Sequence, residues 1–328
     1  MHSPPPLKSL ELEASRKGTA QEALDFLKSQ LSNDSRPAAK KLVLKFEKRL
    51  QQELKERERL VVLLKFEKAL ALKGCKLIAG LDEAGRGPLV GPVVAAAVIL
   101  PPGLLMNGVN DSKKLTHAKR EELDKVIREK ALGFGLGQAS AKEIDQINIY
   151  QAARLAMERA IQALPVAPDG LLTDAMPLPS FKHLPQQAMN HGDSLSMSIA
   201  SASILAKVAR DKMMVEMDAQ YPGYGFAAHK GYGTEQHLAA IKEKGLCPEH
   251  RLSFAPVAQT LAAKDPRGTF GFWKGKLEET STLVALKQAG LSLKRLAGET
   301  LTESDLAGLR EVYSQRATKL KAAFKNPG

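Results

Sequence analysis

Residues 77–100 read LIAGLDEAGRGPLVGPVVAAAVIL. Two aliphatic runs flank Asp82, Glu83 and Arg86, charges that a buried hairpin rarely holds without a task. Two further acids stand out in the same way. Asp174 sits near the end of the apolar stretch GLLTDA at 170–175, and Asp193 precedes an Ala/Ser-rich helix in HGDSLSMSIASASILAKVARD. Carboxylates with few competing His or Cys ligands select hard, oxygen-loving cations, Mg²⁺ or Mn²⁺. Two such ions about 4 Å apart activate a water and stabilise the leaving oxygen of a phosphodiester. A lone strand-end Asp is ordinarily a cap or turn residue. Adjacent acids followed by Gly85, Arg86 and Gly87 are a more specific signal: the glycines let backbone approach a ligand, and the arginine offers a planar fork to phosphate oxygens.

Rigid elements are needed to hold those acids. The patterning predicts strands over 77–82, 91–100, 133–140 and 170–175, with Asp82 and Glu83 at the end of the first. Helices are predicted over 116–131, 148–164, 195–217 and 234–244. Strands interleaved with helices indicate an α/β layer around one sheet, and the closeness of the first three strands favours an antiparallel meander within a mixed sheet. Residues 1–18 read as a loose start. Residues 19–73 read as helices, with turn chemistry at Ser32, Asp34 and Ser35, Pro37 in a first turn, and Gly74 as a stop. Residues 265–275, KDPRGTFGFWK, read as a linker with exposed aromatics, and 277–324 as short helices. The expected division is a basic helical extension over 1–75, a catalytic domain over 76–264 and a second basic helical extension over 265–328.

The net charge of +12 suggests a polyanionic partner. Residues 1–75 carry +6, residues 265–328 carry +4, and the middle, where the acids cluster, only +2. Cys75 and Cys247 are far apart and outside any CxxC spacing, which argues against a disulfide framework and for a reducing compartment. The start lacks the apolar core of a signal peptide. The run VVAAAVIL, between Pro92 and Pro101, is too short to span a bilayer. A soluble, cytoplasmic monomer is expected.

Six segments together carry a family resemblance: GLDEAGRGPLVGPVVAAAVIL, NDSKKL, EIDQINI, GDSLSMSIASASILAKVARD, YGFAAHKGYGTEQH and HRLSFAPV. In this order and spacing, over roughly residues 76–258, they resemble ribonuclease HII, the bacterial type 2 ribonuclease H. The resemblance implies an α/β, RNase H-like fold with a mixed five-stranded sheet flanked by helices. It implies metal-binding catalytic acids at Asp82, Glu83, Asp174 and Asp193, a Gly-Arg-Gly motif at Gly85, Arg86 and Gly87, and a substrate-sensing tyrosine at Tyr232. It also implies Mg²⁺ or Mn²⁺, two ions, and RNA–DNA hybrids and ribonucleotide-containing duplex DNA as substrates. Cleavage would fall 5′ of the ribonucleotide and leave 3′-hydroxyl and 5′-phosphate ends. Two departures stand out. TDA replaces the frequent Val/Ile-Asp-Gly around Asp174, and His191 precedes Gly-Asp where Lys is usual. Neither removes a ligand.

Weaker signals are weighed against plain ones. Ser112, Lys113 and Lys114 in NDSKKL are candidate phosphate contacts beside a solvated-turn reading, and the resemblance favours the former. Ser194, Ser196 and Ser198 could bring a helix N-terminus to phosphate, although N-capping explains any one of them. His229, His237, His250 and Cys247 match no common zinc spacing. Trp273 and Phe270 read as covering the core rather than stacking on bases. Two other functions remain in view: a different RNase H-like nuclease of the resolvase or transposase kind, and a catalytically inactive nucleic-acid-binding module.

Overall fold

The structure, a computed structural model, describes residues 6–264 and 268–325. The chain forms two compact units, Met1–Lys65 with Gly103–Val109, and Phe66–Pro102 with Asn110–Gly328. No helix among the described residues is long and apolar enough to cross a membrane.

In the first unit, helices α1 (Leu7–Ser15), α2 (Ala20–Gln30) and α3 (Pro37–Val62) bury Leu10, Ala14, Leu24, Leu27, Leu42 and Phe46 in a core of their own. Thr19 starts α2 with a capping box: its hydroxyl accepts from Glu22 N–H, and the Glu22 carboxylate accepts from Thr19 N–H. Pro37 opens α3, where a missing N–H costs nothing. The expectation of a loose 1–18 is corrected over its described part. Leu10 and Ala14, one turn apart, give α1 an apolar stripe to bury.

The second unit begins with the short helix α4 (Lys65–Ala71), a turn at Gly74 and strand β1 (Ile78–Ala84). Strands β2 (Val93–Ile99), β3 (Gly133–Ala139), β4 (Gly170–Asp174) and β5 (Gln186–Met189) complete one sheet in the order β3-β2-β1-β4-β5. β1, β2 and β3 form the expected antiparallel meander, while β4 and β5 run parallel to β1. β1 extends two residues beyond its predicted end, so Asp82 and Glu83 lie inside a paired strand, opposite Ala96 and Ala95.

Helices α5 (His117–Lys130), α6 (Ala141–Gln162), α7 (Met197–Gln220), α8 (Phe226–His229), α9 (Glu235–Lys244) and α10 (Ala255–Lys264) lie in the same unit, with α6 and α7 against the sheet and α5 and α8 against α7. α6 packs Ala152, Ala156 and Ala160 against Ala79 and Leu81 on one face. α7 lies on the other face, so β2 is buried along its whole length and reads as an unbroken aliphatic run. Close approach there depends on Gly80, where a Cβ would fall 2.2 Å from the carbonyl carbon of Ser198. α6 starts seven residues before the predicted helix. Asn148, at φ 67°, breaks it and restarts it by accepting from the N–H groups of Tyr150 and Gln151.

Helices α11 (Gly268–Glu278), α12 (Leu283–Thr300) and α13 (Glu303–Lys325) follow. The expected linker is thus corrected over its described part: 268–275 is helical, and 265–267 lie outside the described residues. Trp273 and Leu277, one turn apart, are buried with Leu286, Ala289 and Leu309, while Phe270 and Phe272 are half-buried against that cluster.

Candidate active site

Successive strand residues point to opposite faces, so Asp82 turns with Gly80 toward α7, while Glu83 turns with Leu81. The parallel register pairs Leu81 with Thr173, and its next step sets Asp82 level with Asp174 at the carboxyl ends of both strands. Asp193 sits in the turn Gly192–Ser194 between β5 and α7. Asp174 anchors that turn, its Oδ1 accepting from Gly192 N–H at 2.8 Å. The four candidate acids therefore meet at one edge, on three adjoining segments.

That edge is electrostatically tense. Burial raises the Asp82 carboxyl well above its usual range; Glu83 and Asp174 add to the rise, and a hydrogen bond from Ser203 opposes it. Glu83 is raised to about 7, chiefly by burial, with Arg86 pulling it down and Asp174 pushing it up. Asp193 is raised by burial, then by Asp111 and Asp174. One Glu83 oxygen, Oε2, is buried without a hydrogen-bond partner. An all-oxygen donor set, mutual repulsion and an orphaned carboxylate oxygen suit a hard divalent cation. Among the described residues no three His, Cys, Asp or Glu side chains are already arranged to hold a metal. Such ions keep several waters and need few carboxylates, so a closed protein cage is not required.

The loop after β1 supplies the second half of the site. Gly85 has φ +98°, and a Cβ there would fall 2.0 Å from Arg210 Nε. The loop can run over that guanidinium only with glycine at this place. Arg86 points outward and meets Glu83 at 3.3 Å. Gly87 faces the Tyr232 ring, whose Cε1 would lie 3.4 Å from a Cβ at 87. Tyr232 is 48% exposed, so its face is open to a ligand. The structure thus brings Gly85, Arg86, Gly87 and Tyr232 together.

The other candidates divide. Ser112 is buried and shares a 2.9 Å hydrogen bond with Ser203, which itself reaches Asp82. It is tied to the acid cluster rather than free for phosphate. Lys113 and Lys114 are exposed, on the same short turn. Ser194 donates to the His191 carbonyl at 2.8 Å and closes its own turn. Ser196 is the N-cap of α7, and its hydroxyl and that of Ser198 both donate to Glu67 Oε1 at 2.7 Å. Those two serines are structural.

Several residues at the site carried no signal of their own in the sequence. Asp111 lies near enough to Asp193 to raise it, yet in NDSKKL the adjacent lysines draw the eye. Arg210 and Arg251 are buried beneath the loop, and each bonds only to carbonyls. His229, His237, His250 and Cys247, unrelated by spacing, come together in space.

A mixed five-stranded sheet in the order β3-β2-β1-β4-β5, with acids at the carboxyl ends of its central strands, is the ribonuclease H-like fold. A family model described as ribonuclease HII matches residues 79–257, and one described as ribonuclease HII N-terminal domain matches residues 15–71. The ribonuclease HII of Desulfitobacterium hafniense is 53% identical over 237 residues, spanning 72% of this chain and 90% of that protein. That of Geobacillus thermodenitrificans is 51% identical over 234 residues, spanning 71% and 90%. A solved ribonuclease H2 from Pyrococcus horikoshii is more distant, at 24% identity and TM-score 0.48 over 56% of this chain and 96% of that one. The chain belongs to the ribonuclease HII family, and it is an endonuclease and hydrolase of the ribonuclease H class.

Proposed function

We infer that this enzyme hydrolyses the RNA strand of RNA–DNA hybrids and cuts on the 5′ side of ribonucleotides embedded in duplex DNA. The products are a 3′-hydroxyl and a 5′-phosphate. The observation that carries this reading is the meeting of Asp82, Glu83, Asp174 and Asp193 at one sheet edge, beside a glycine-lined loop and an open tyrosine face. The four acids would hold two Mg²⁺ or Mn²⁺ ions, which would supply an activated water and stabilise the leaving oxygen. The protein's own part is to fix the strand to be cut. Backbone at Gly87 approaches the sugar without a Cβ in the way, and Tyr232 stacks on it. A site built to bond a 2′-hydroxyl rejects sugars that lack it, because its polar groups would be left unpaired. Arg86, Lys113 and Lys114 supply phosphate contacts, and Ser194 supports the turn that carries Asp193.

The basic helices of 1–75 add sequence-independent affinity for the duplex backbone, 76–264 performs the chemistry, and 265–328 is a second basic extension. Two free, buried cysteines suit a reducing cytoplasm, where the enzyme works as a monomer. The test is a labelled duplex containing one ribonucleotide, incubated with Mg²⁺, with Mn²⁺ and with chelator. Metal-dependent cleavage 5′ of the ribonucleotide is expected, and none with an all-deoxy strand. Metal-independent cutting, or cutting of the all-deoxy strand, would remove the proposal. A resolvase-type reading would require branched DNA to be the better substrate in the same assay.

A further inference from the structure

The segment HRLSF, 250–254, has no part in the chemistry above, yet it touches both halves of the ribonucleotide-reading pocket. Asp145 pins it, accepting from Leu252 N–H and Ser253 N–H at 2.8 Å and from the Ser253 hydroxyl. From this anchor two buried side chains reach out in different directions. Arg251 donates to the Gly85 carbonyl at 2.7 Å, the Arg86 carbonyl at 3.1 Å and the Gly91 carbonyl at 2.8 Å. Its backbone N–H also holds the Leu89 carbonyl at 2.8 Å. One guanidinium thus fixes the carbonyls of two of the three reading-loop residues.

His250 reaches the tyrosine. Its Nδ1 accepts from Cys247 N–H at 2.9 Å, which leaves the ring proton on Nε2. That proton points at His237 Nε2, 3.2 Å away, so His237 carries its own proton on Nδ1. His237 Nδ1–H in turn donates to the Tyr232 carbonyl at 2.9 Å. Two neutral rings pass one proton along this chain, while the Cys247 thiol and carbonyl also stand 3.1 and 3.2 Å from His250 Nδ1. Burial holds both histidines below their ordinary range, His250 at about 4, so neutrality persists at working pH. Polar side chains around the pair are the stacked His229 ring, the Tyr224 ring 5.5 Å from His250 and the thiol of Cys247.

We propose that Arg251 and the His250–His237 relay are positioning residues that set the spacing between the 85–87 loop and Tyr232, and thereby the enzyme's ability to act on a single ribonucleotide. The proposal rests on the reading that Tyr232 and this loop recognise the ribose. The relay acts only through Tyr232, and this separates positioning from general support of the fold. Effects transmitted through one residue vanish once that residue is gone, whereas independent effects multiply.

The experiment uses the full chain with Mg²⁺ and single-turnover cleavage of a duplex containing one ribonucleotide. His237→Gln keeps an acceptor for His250 but loses the donor to Tyr232. His237→Asn places an amide donor where Nδ1–H stood. His237→Gln should slow the cleavage step by roughly tenfold with little change in substrate affinity, short of the hundredfold that a 1 Å misplacement can cost. His237→Asn should recover part of that loss. In a Tyr232→Ala background, His237→Gln should cost nothing more. A full tenfold loss in that background, or wild-type cleavage by His237→Gln alone, overturns the proposal. If Tyr232→Ala itself cleaves like wild type, the underlying reading fails and takes the proposal with it. Arg251→Lys, which keeps the charge but not the three-way fork, supplies a second cycle with Tyr232→Ala should His237→Gln melt at the assay temperature. There too, losses that multiply overturn the proposal.

Discussion

The His237–His250 pair should make the fold acid-labile in a window that can be calculated. A histidine buried as the neutral ring has a folded pKa below its unfolded value near 6.5, so it stabilises the protein above that value and loses the contribution as pH falls. For His250, held at about 4, the full shift corresponds to about 3 kcal/mol at about 1.4 kcal/mol per pH unit. Almost all of it is present at pH 7.5, about 1.4 kcal/mol is lost by pH 5.5, and most of the rest by pH 4. His237 shifts in the same direction, chiefly because burial disfavours its charged ring, with His229 adding to the fall. The clustered carboxyls work against this. A raised carboxyl such as Glu83, at about 7, is least costly when protonated, so the metal-free protein gains stability as pH falls through the same window. The two must be separated by difference. Urea unfolding in chelator at pH 7.5, 6.5, 5.5 and 4.5, on wild type and His250→Gln, supplies it. The variant is expected to be less stable at pH 7.5, with the gap closing as pH falls. A gap of constant size from pH 7.5 to 4.5 would refute the neutral-relay argument.

Three further outcomes are expected. Asp82→Asn should reduce cleavage to near background while substrate binding survives, and should raise the metal-free melting temperature by removing one of several repelling charges; cleavage near the wild-type rate at saturating Mg²⁺ would sink the metal-site assignment. Ala175→Gly should stabilise the protein by about 1 kcal/mol, or a melting shift of about 2 °C, because Ala175 sits at φ 56° where an L side chain costs about 1–2 kcal/mol and glycine returns part as unfolded-state entropy; differential scanning calorimetry measures it. Deleting residues 1–62 should weaken duplex binding and flatten its log–log salt dependence by about 0.9 for each phosphate no longer neutralised, with turnover at saturation less affected; titrations at several salt concentrations decide it, an unchanged slope opposing the idea.

What could be read in the sequence follows what each residue's neighbours made visible. Asp82 and Glu83 are conspicuous because they interrupt aliphatic runs, and β1, β2 and β4 because buried strands are written in such runs. β5 reads QQAM, four residues at the sheet margin of which two are glutamines. Its strand character comes from pairing with β4, which no local pattern encodes. α11 was mistaken for a linker because Gly268, Gly271 and Gly275 lower helix propensity. Trp273 and Leu277 carried the contrary signal, and burial beside Leu286 and Leu309 decided it. The histidines stand out as a group only as a zinc set that their spacing excludes, since neither spacing nor order shows that they form a hydrogen-bonded chain.

Buried charge explains why the site is arranged around HRLSF. Arg210 and Arg251 lie beneath the loop, bonded only to carbonyls, and burial lowers them to about 10 and about 9, still charged at neutral pH. On the neighbouring strands Asp82 and Glu83 repel each other, and Asp174 repels both of them and Asp193. Each cluster is costly alone, and direct pairing of the two would relieve both. Pairing would also neutralise the acids needed for cations and release the loop carbonyls. The fold instead keeps them apart: Gly85 passes directly over Arg210, and Arg251 is tethered through Asp145 rather than to any metal-site acid. Only Arg86 spans the gap, with a 3.3 Å contact to Glu83 from a side chain 45% exposed. Such an exposed ion pair is worth little and is readily exchanged, so the phosphate contact proposed for Arg86 would cost little of the Glu83 pairing while the buried arginines hold the loop in place.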